Sequence, residues 1–290
     1  MKTKIPDGNP SWVPDWFEKR LIEFAVPSGS PEWMRKMILY TLTAGGKRFR
    51  PALVFSVARD LNLPEESVAD IAVAVELLHS ASLIHDDLPS IDNDDYRRGK
   101  PACHRVYGEG PAIVIADIMF FQAFALISRI ENASVHRDLY RMFSQAAVYL
   151  GMGELADIKY EGERPKLESI IEMYRMKTGA LLGFCLGAPF LIACKNDLAE
   201  GAYTLGIELG TAYQIYDDVK DAIGSRETLG KTPGKDIKQK KSTVLIYWDL
   251  AQAVEYADGL FENVVFRLEA LGACQTASLL RQMKQMLKTR

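Results

Sequence analysis

The amino-acid sequence predicts an all-α fold in a single domain spanning residues 1–290. Three observations predict it. Apolar residues recur at helical spacing in segment after segment. No useful stretch alternates with period two. No Asn-Gly or Asp-Gly turn sits between two apolar runs, so hairpins are not signalled.

The elements follow in order. A helix is expected from Glu65 or Glu66 to about Asp87, with Val68, Ile71, Val75 and Leu78 on one face and Pro64 before it. Pro111 opens a second run to Ile130. Similar runs cover Ser134 to Ile158 and Thr178 to Ala193. Asp197 opens a helix to about Ile223, and Val244 to Lys288 reads as helix with a break at Gly272. Three loops separate them: Gly45-Gly46, Leu88 to Pro101, and Gly224 to Gln239.

Composition narrows the function classes. The chain has 290 residues, 48% hydrophobic and 25% charged, an ordinary globular balance. Net charge is 35 minus 38, or −3, which gives no reason to expect a nucleic-acid partner. Any anion-binding surface must be a local gathering of Lys and Arg. The four cysteines, Cys103, Cys185, Cys194 and Cys274, form no CxxC pair, so a zinc site is not signalled and reduced thiols of a cytoplasmic protein are expected. The N-terminus has no apolar stretch after its lysines, unlike a secretory signal. The run Ala112 to Ile127 is interrupted by Asp117 and Gln122 and falls short of the roughly twenty residues of a membrane span. A helix buried in the core or at a subunit interface fits it better.

Two acidic motifs carry the chemistry. The segment LIHDDLPSIDNDDYRRGK holds Asp86, Asp87, Asp92, Asp94 and Asp95, then Arg97, Arg98 and Lys100. Pro89 disfavours helix beyond Leu88, which places Asp86 and Asp87 at a helix C-terminus already carrying partial negative charge. Carboxylates crowded there make sense if hard cations join them. Arg97 and Arg98 could grip phosphates held by the same cations. Alone, this cluster would read as a solvated acidic loop.

The second motif, YQIYDDVKDAIG, changes that reading. Asp217 and Asp221 lie one helical turn apart on a shared face, with Gln214 one turn earlier. Lys231, Lys235 and Lys241 follow in a Gly-containing loop. Unit charges about 4 Å apart cost about 4 kcal/mol at an effective dielectric of about 20. Six aspartates and a diphosphate brought together therefore need counterions, and roughly three Mg²⁺ would offset most of the charge. A magnesium cluster with diphosphate as shared ligand is the expectation.

The sequence resembles the trans-isoprenyl diphosphate synthases, or polyprenyl synthetases, over nearly its whole length. GGKRFRP at 45–51, ELLHSASLIHDDLPSIDNDDYRRGKPACH at 76–104, MKTGALL at 176–182, YQIYDDVKD at 213–221 and LGKTPGKD at 229–236 match that family's motifs in order. The resemblance implies a bundle of roughly ten or more helices around a central cavity, usually a homodimer, and no membrane span. It implies Mg²⁺-dependent, head-to-tail condensation of isopentenyl diphosphate with an allylic diphosphate (dimethylallyl, geranyl or farnesyl). By similarity, Asp86, Asp92 and Asp217 are direct magnesium ligands, and Asp87, Asp218 and Asp221 complete or support the shell. Arg97, Lys177, Lys231 and Lys241 would hold the allylic diphosphate. The Lys177 carbonyl, Thr178 hydroxyl and Gln214 amide would stabilise the allylic cation. Gly46, Lys47, Arg50, His79 and Arg98 match the isopentenyl diphosphate pocket. His85 and His104 read as structural, and Asp117 as a helix-contact residue.

Product length is expected to depend on Ala81 and Ser82. They lie about 6 to 7.5 Å up the helix from Asp86 at roughly 1.5 Å per residue. Fifteen-carbon synthases of similar motif often carry an aromatic at the Ala81 position. The small residue here favours geranylgeranyl diphosphate, with farnesyl diphosphate close behind if Phe120 or Phe121 supplies a floor. The chain departs from the family at Glu154, where glutamine is common, at Lys220, and at Val244-Leu245 after Thr243. Two alternatives stand: a class I terpene cyclase, which binds one diphosphate and has no need of the Lys47, Arg50, His79 and Arg98 set, and a non-catalytic regulatory subunit, which should have lost aspartates.

Overall fold

The structure, a computed structural model, describes residues 12–223 and 241–288. The described residues group into two compact units: those up to 55 with 65–130, and 56–64 with those from 131 on.

In the first unit, α1 (Phe17–Phe24), α2 (Glu32–Leu42) and the start of α3 (Phe49–Asp60) precede a 3₁₀ turn, Glu65–Val68, that leads into α4 (Ala69–Asp86). Helix α4 is apolar on nearly every side and is buried accordingly. Helix α1 adds an aromatic contact, Phe17 meeting Phe55 edge-on at 5.4 Å. After α4 come two short strands, β1 (Tyr96–Arg97) and β2 (Lys100–Pro101), then α5 (Cys103–Tyr107) and α6 (Glu109–Ile127), which lies along α4.

The hairpin corrects the expectation of a plain loop. Its strands are two residues each, too short for alternation to register. Arg98 and Gly99 both take positive φ, 53° and 75°, as the twist-compatible two-residue turn requires. Arg98 is a weak signal for that turn, so the sequence concealed it.

The second unit holds α7 (Ala133–Tyr160), α8 (Leu167–Tyr174), a π-helical turn (Arg175–Gly179), α9 (Ala180–Ile192), α10 (Asn196–Ile223), a 3₁₀ turn (Val244–Ile246), α11 (Leu250–Ala270) and α12 (Cys274–Lys288). Helices α9 and α10 meet through glycine. A Cβ on Gly206 would stand 2.4 Å from Gly183 Cα, and one on Gly210 would stand 2.4 Å from Gly179 Cα. No side chain fits there, and this close approach fixes α10 against the π turn. The expected C-terminal helix is delayed to Leu250, where Asp249 and Gln252 form a capping box. Gly272, at φ 80°, ends α11 as expected.

Among the described residues, two helices are long and apolar enough to cross a bilayer: Glu65–Asp86 and Glu109–Ile127. The first is mostly buried within the protein. The second is buried along one side and exposes Ile113, Val114 and Phe121 on the other.

Candidate active site

The first acidic motif is built by a chain reversal at the end of α4. Past Leu88 the backbone turns, with Ile91 N and Asn93 N both donating to Leu88 O at 2.9 Å. Asn93 supplies the left-handed residue, φ 51°. Asp92 N then donates to Asp86 O at 2.8 Å, and Asp94 N to Asp87 O at 3.1 Å. This return is why the spacing DDxxxxD matters: it brings the first and last aspartates to one helix end, and it caps carbonyls that a helix leaves open.

The aspartates then take different parts. Asp86 and Asp92 are half-buried. Asp87 is only 2% exposed and accepts from Arg97 Nε at 2.9 Å and from Arg97 Nη2. Burial pushes its carboxyl up, although Arg97 pulls it down. Burial opposes the charge on Arg97, yet Asp87, Asp94 and Asp86 hold it firmly protonated. So Asp87 orients Arg97, a buried bidentate pair beside the two more accessible carboxylates.

The predicted isopentenyl diphosphate residues also converge within the first unit. Gly45 and Gly46 take φ 98° and 139°. A Cβ on Gly46 would stand 2.9 Å from Arg98 Nη1, and Arg98 donates to Gly45 O. Lys47 is exposed beside them. Half-buried His79 has its imidazole driven well below its ordinary range by burial and by Arg50, Arg98, Arg97 and Arg48. The Arg98 guanidinium is itself pushed down, by burial and by Arg48, Arg97 and Arg50, despite Glu76. Arg50 Nε is buried and hydrogen-bonded to nothing among the described residues. Guanidinium groups gathered this closely create a locally positive surface, the kind of setting that attracts anions.

Arg48 was not among the predicted site residues. It is 4% exposed at φ 48°, donating from Nε to Glu18 Oε1 at 2.7 Å, from Nη1 to Glu76 Oε1 at 2.7 Å and from Nη2 to Leu42 O at 2.8 Å. It anchors the glycine loop to α1, α2 and α4. Its position between Lys47 and Arg50 in GGKRFRP is the one signal the sequence offers for it.

Of the chain-length residues, Ala81 is fully buried and half-buried Ser82 donates to His79 O at 2.9 Å. Phe120 lies against His85, ring centroids 5.4 Å apart, while Phe121 is 72% exposed. The floor candidate beside α4 is therefore Phe120, not Phe121. His85 Nε2 also approaches Asp117 Oδ1 at 3.6 Å, so Asp117 does make a helix-to-helix contact.

In the second unit, a polar chain runs from the π turn to α10. Thr178 Oγ1 donates to Gln214 Oε1 at 2.9 Å, and Gln214 Nε2 to Asp218 Oδ1 at 3.2 Å. Asp218 Oδ2 accepts from the Tyr174 hydroxyl, which in turn accepts from Val244 N at 3.0 Å. Burial and the Asp218 carboxylate push the Tyr174 phenol well up. Asp217 is half-buried, whereas Asp218 and Asp221 are buried. Single π turns inside helices recur at functional sites, and this one carries both Lys177 and Thr178. A Cβ on Gly153 of α7 would stand 2.2 Å from Lys177 N, so α7 presses against the turn's backbone.

Lys177 and Lys241 meet at Asp157. Lys177 Nζ donates to Asp157 Oδ2 at 2.5 Å, Lys241 Nζ to the same atom at 3.1 Å, and Lys177 Nζ lies 2.8 Å from Glu154 Oε2. Burial works against the Asp157 charge, but the two ammonium groups hold its carboxyl below the usual range. Lys231 lies outside the described residues. Asp157 and Tyr174 were missed as site residues. Asp157 was visible only as the end of Gly153-Glu154-Leu155-Ala156-Asp157, and nothing marks Tyr174 in sequence.

The donor set suits magnesium: oxygen ligands, half-buried, at a helix C-terminus. Among the described residues no three His, Cys, Asp or Glu side chains gather closely enough to hold an ion alone.

Comparison with known proteins shows the family. The polyprenyl synthetase family model matches residues 31–275. The chain belongs to that family. As a member it is a prenyltransferase of the short-chain isoprenyl diphosphate synthase type. Among relatives, a short chain isoprenyl diphosphate synthase of Methanocaldococcus jannaschii is 39% identical over 208 residues, 71% of this chain and 63% of its own length. The crystal structure of a Thermotoga maritima geranyltranstransferase is 40% identical with a TM-score of 0.82, covering 94% of this chain and 97% of its own. A Helicobacter pylori geranyltransferase complexed with magnesium and isoprenyl diphosphate is 26% identical with a TM-score of 0.80, covering 94% and 96%.

Proposed function

We propose that this polyprenyl synthetase condenses an allylic diphosphate with isopentenyl diphosphate, head to tail. The observation that carries the reading is the pair of separate cationic sets. One surrounds His79 with Arg50 and Arg98; the other joins Lys177 and Lys241 at Asp157. Prenyl transfer needs two diphosphates bound at once, whereas a cyclase needs one.

Asp86, Asp92 and Asp217 would ligate roughly three Mg²⁺, with Asp221 in support. When bound, the metal supplies Lewis acidity to the leaving diphosphate. The protein does the rest. Arg97, held by Asp87, and Lys177, Lys231 and Lys241 grip the allylic diphosphate. The bond between its C1 and oxygen breaks, and the diphosphate leaves with the electron pair. Thr178 gives its hydroxyl hydrogen to Gln214, which leaves oxygen lone pairs to face the cation. Asp218 holds the Gln214 amide, so that oxygen is preset before reaction. The double bond of isopentenyl diphosphate forms the new carbon–carbon bond, and the proton then lost goes to the released diphosphate.

The small side chain of Ala81 favours a twenty-carbon product, and Phe120, lying against His85, is the floor that would restore a fifteen-carbon limit. The exposed Ile113, Val114 and Phe121 of α6 support a homodimer. The four cysteines are not joined in disulfides, in keeping with a cytoplasmic setting. The test is the purified chain alone with Mg²⁺, isopentenyl diphosphate, and dimethylallyl, geranyl or farnesyl diphosphate in turn. Elongated prenyl diphosphates are expected. No product from any primer would instead support the regulatory-subunit reading.

A further inference from the structure

Glu154 departs from the family's glutamine, and its setting gives that departure a consequence. Lys177 Nζ contacts two carboxylates, Glu154 Oε2 at 2.8 Å and Asp157 Oδ2 at 2.5 Å. Asp157 also takes Lys241 at 3.1 Å. Two lysines face two carboxylates, so these four groups sum to no net charge; glutamine at 154 would leave one positive charge.

The second oxygen of Glu154 sharpens the point. Its Oε1 is buried and hydrogen-bonded to nothing among the described residues. An ammonium has three donors, and here two already point at carboxylates. An arriving phosphate oxygen must compete with Glu154 for Lys177, beside a carboxylate that repels it. Asp157 alone would keep Lys177 and Lys241 paired, so Glu154 is not needed to neutralise a stranded lysine.

We propose that Glu154 is a specificity-determining counter-ligand, competing with the allylic diphosphate for Lys177 and thereby lowering this chain's affinity for that diphosphate and for the released one. The inference rests on the reading of Lys177 as an allylic diphosphate ligand. It concerns the affinity of one subsite and leaves the isopentenyl diphosphate subsite untouched.

The test is calorimetric titration of the full chain with inorganic pyrophosphate and Mg²⁺, for wild type, Glu154→Gln and Glu154→Asp. Removing one nearby charge at constant shape is expected to tighten pyrophosphate binding about tenfold. The KM for the allylic substrate should fall in parallel, with the KM for isopentenyl diphosphate unchanged. Glu154→Asp, which keeps the charge, should stay near wild type. Glu154→Ala gives the same direction as glutamine should the latter fail to fold. Equal or weaker pyrophosphate binding in the neutral variants, with wild type active, overturns the proposal alone. A wild-type chain that neither condenses substrates nor binds pyrophosphate overturns the functional reading and this inference with it.

Discussion

Replacing Arg48 with alanine should destabilise the protein more than any single change at the exposed aspartates. Arg48 is 4% exposed and Glu76 2% exposed, joined at 2.7 Å. Removing the guanidinium leaves a buried carboxylate unpaired and strips Leu42 O of its donor. Breaking such a buried pair from one side costs about 3–5 kcal/mol. Each kcal/mol lowers the melting temperature by about 2–4 °C for a chain of this size. A fall of roughly 6–20 °C follows, readable by calorimetry or circular dichroism. The double variant Arg48→Met with Glu76→Leu should recover part of it, because the buried pair goes together and, of the carboxylates, only the more exposed Glu18 loses its partner. Loss of the anchor should also raise the KM for isopentenyl diphosphate, since Gly46 and Lys47 lie on the loop Arg48 holds. A drop of under about 1 kcal/mol, with no recovery in the double variant, would refute the reasoning.

Other consequences concern the second unit and the product. Asp157 has a folded pKa held below its unfolded value, so its contribution to stability is present above the ordinary carboxylate range and fades as pH falls through the depressed value. Acid titration of stability should therefore be shallower in Asp157→Asn. Tyr174→Phe removes the donor to Asp218 and the acceptor of Val244 N; a loss of about 1–3 kcal/mol is expected by chemical denaturation, with a higher Mg²⁺ requirement in the prenyl transfer assay. The raised Tyr174 pKa has the opposite sign: its stability contribution is full below the ordinary phenol range and is lost as pH rises beyond it. Ala81→Phe should shorten the longest product by about one five-carbon unit on chromatographic sizing; an unchanged product would remove Ala81 from the chain-length path.

The helices were legible because apolar periodicity is a property of each segment by itself. Asp197 to Ile223 was anticipated within a residue at its start, and the structure gives Asn196–Ile223. The acidic motifs were legible because like charges at helical spacing ask for a counterion. What escaped depended on partners distant in sequence. Tyr174 matters only because Val244 and Asp218 come to its hydroxyl, and Arg48 only because Glu18 and Glu76 close on it. The π turn escaped because its backbone meets Gly153 and Gly210 from helices distant in sequence, an approach that no local pattern signals. The Tyr96–Pro101 hairpin escaped because two-residue strands carry no period.

The central claim is that two separate cationic sets serve two diphosphates. Equilibrium dialysis of labelled isopentenyl diphosphate against wild type and Arg50→Met, with magnesium pyrophosphate titrated in parallel, addresses it directly. Loss of isopentenyl diphosphate binding in the variant, with pyrophosphate binding retained, is the predicted result. Retention of both, or loss of both together, would contradict it.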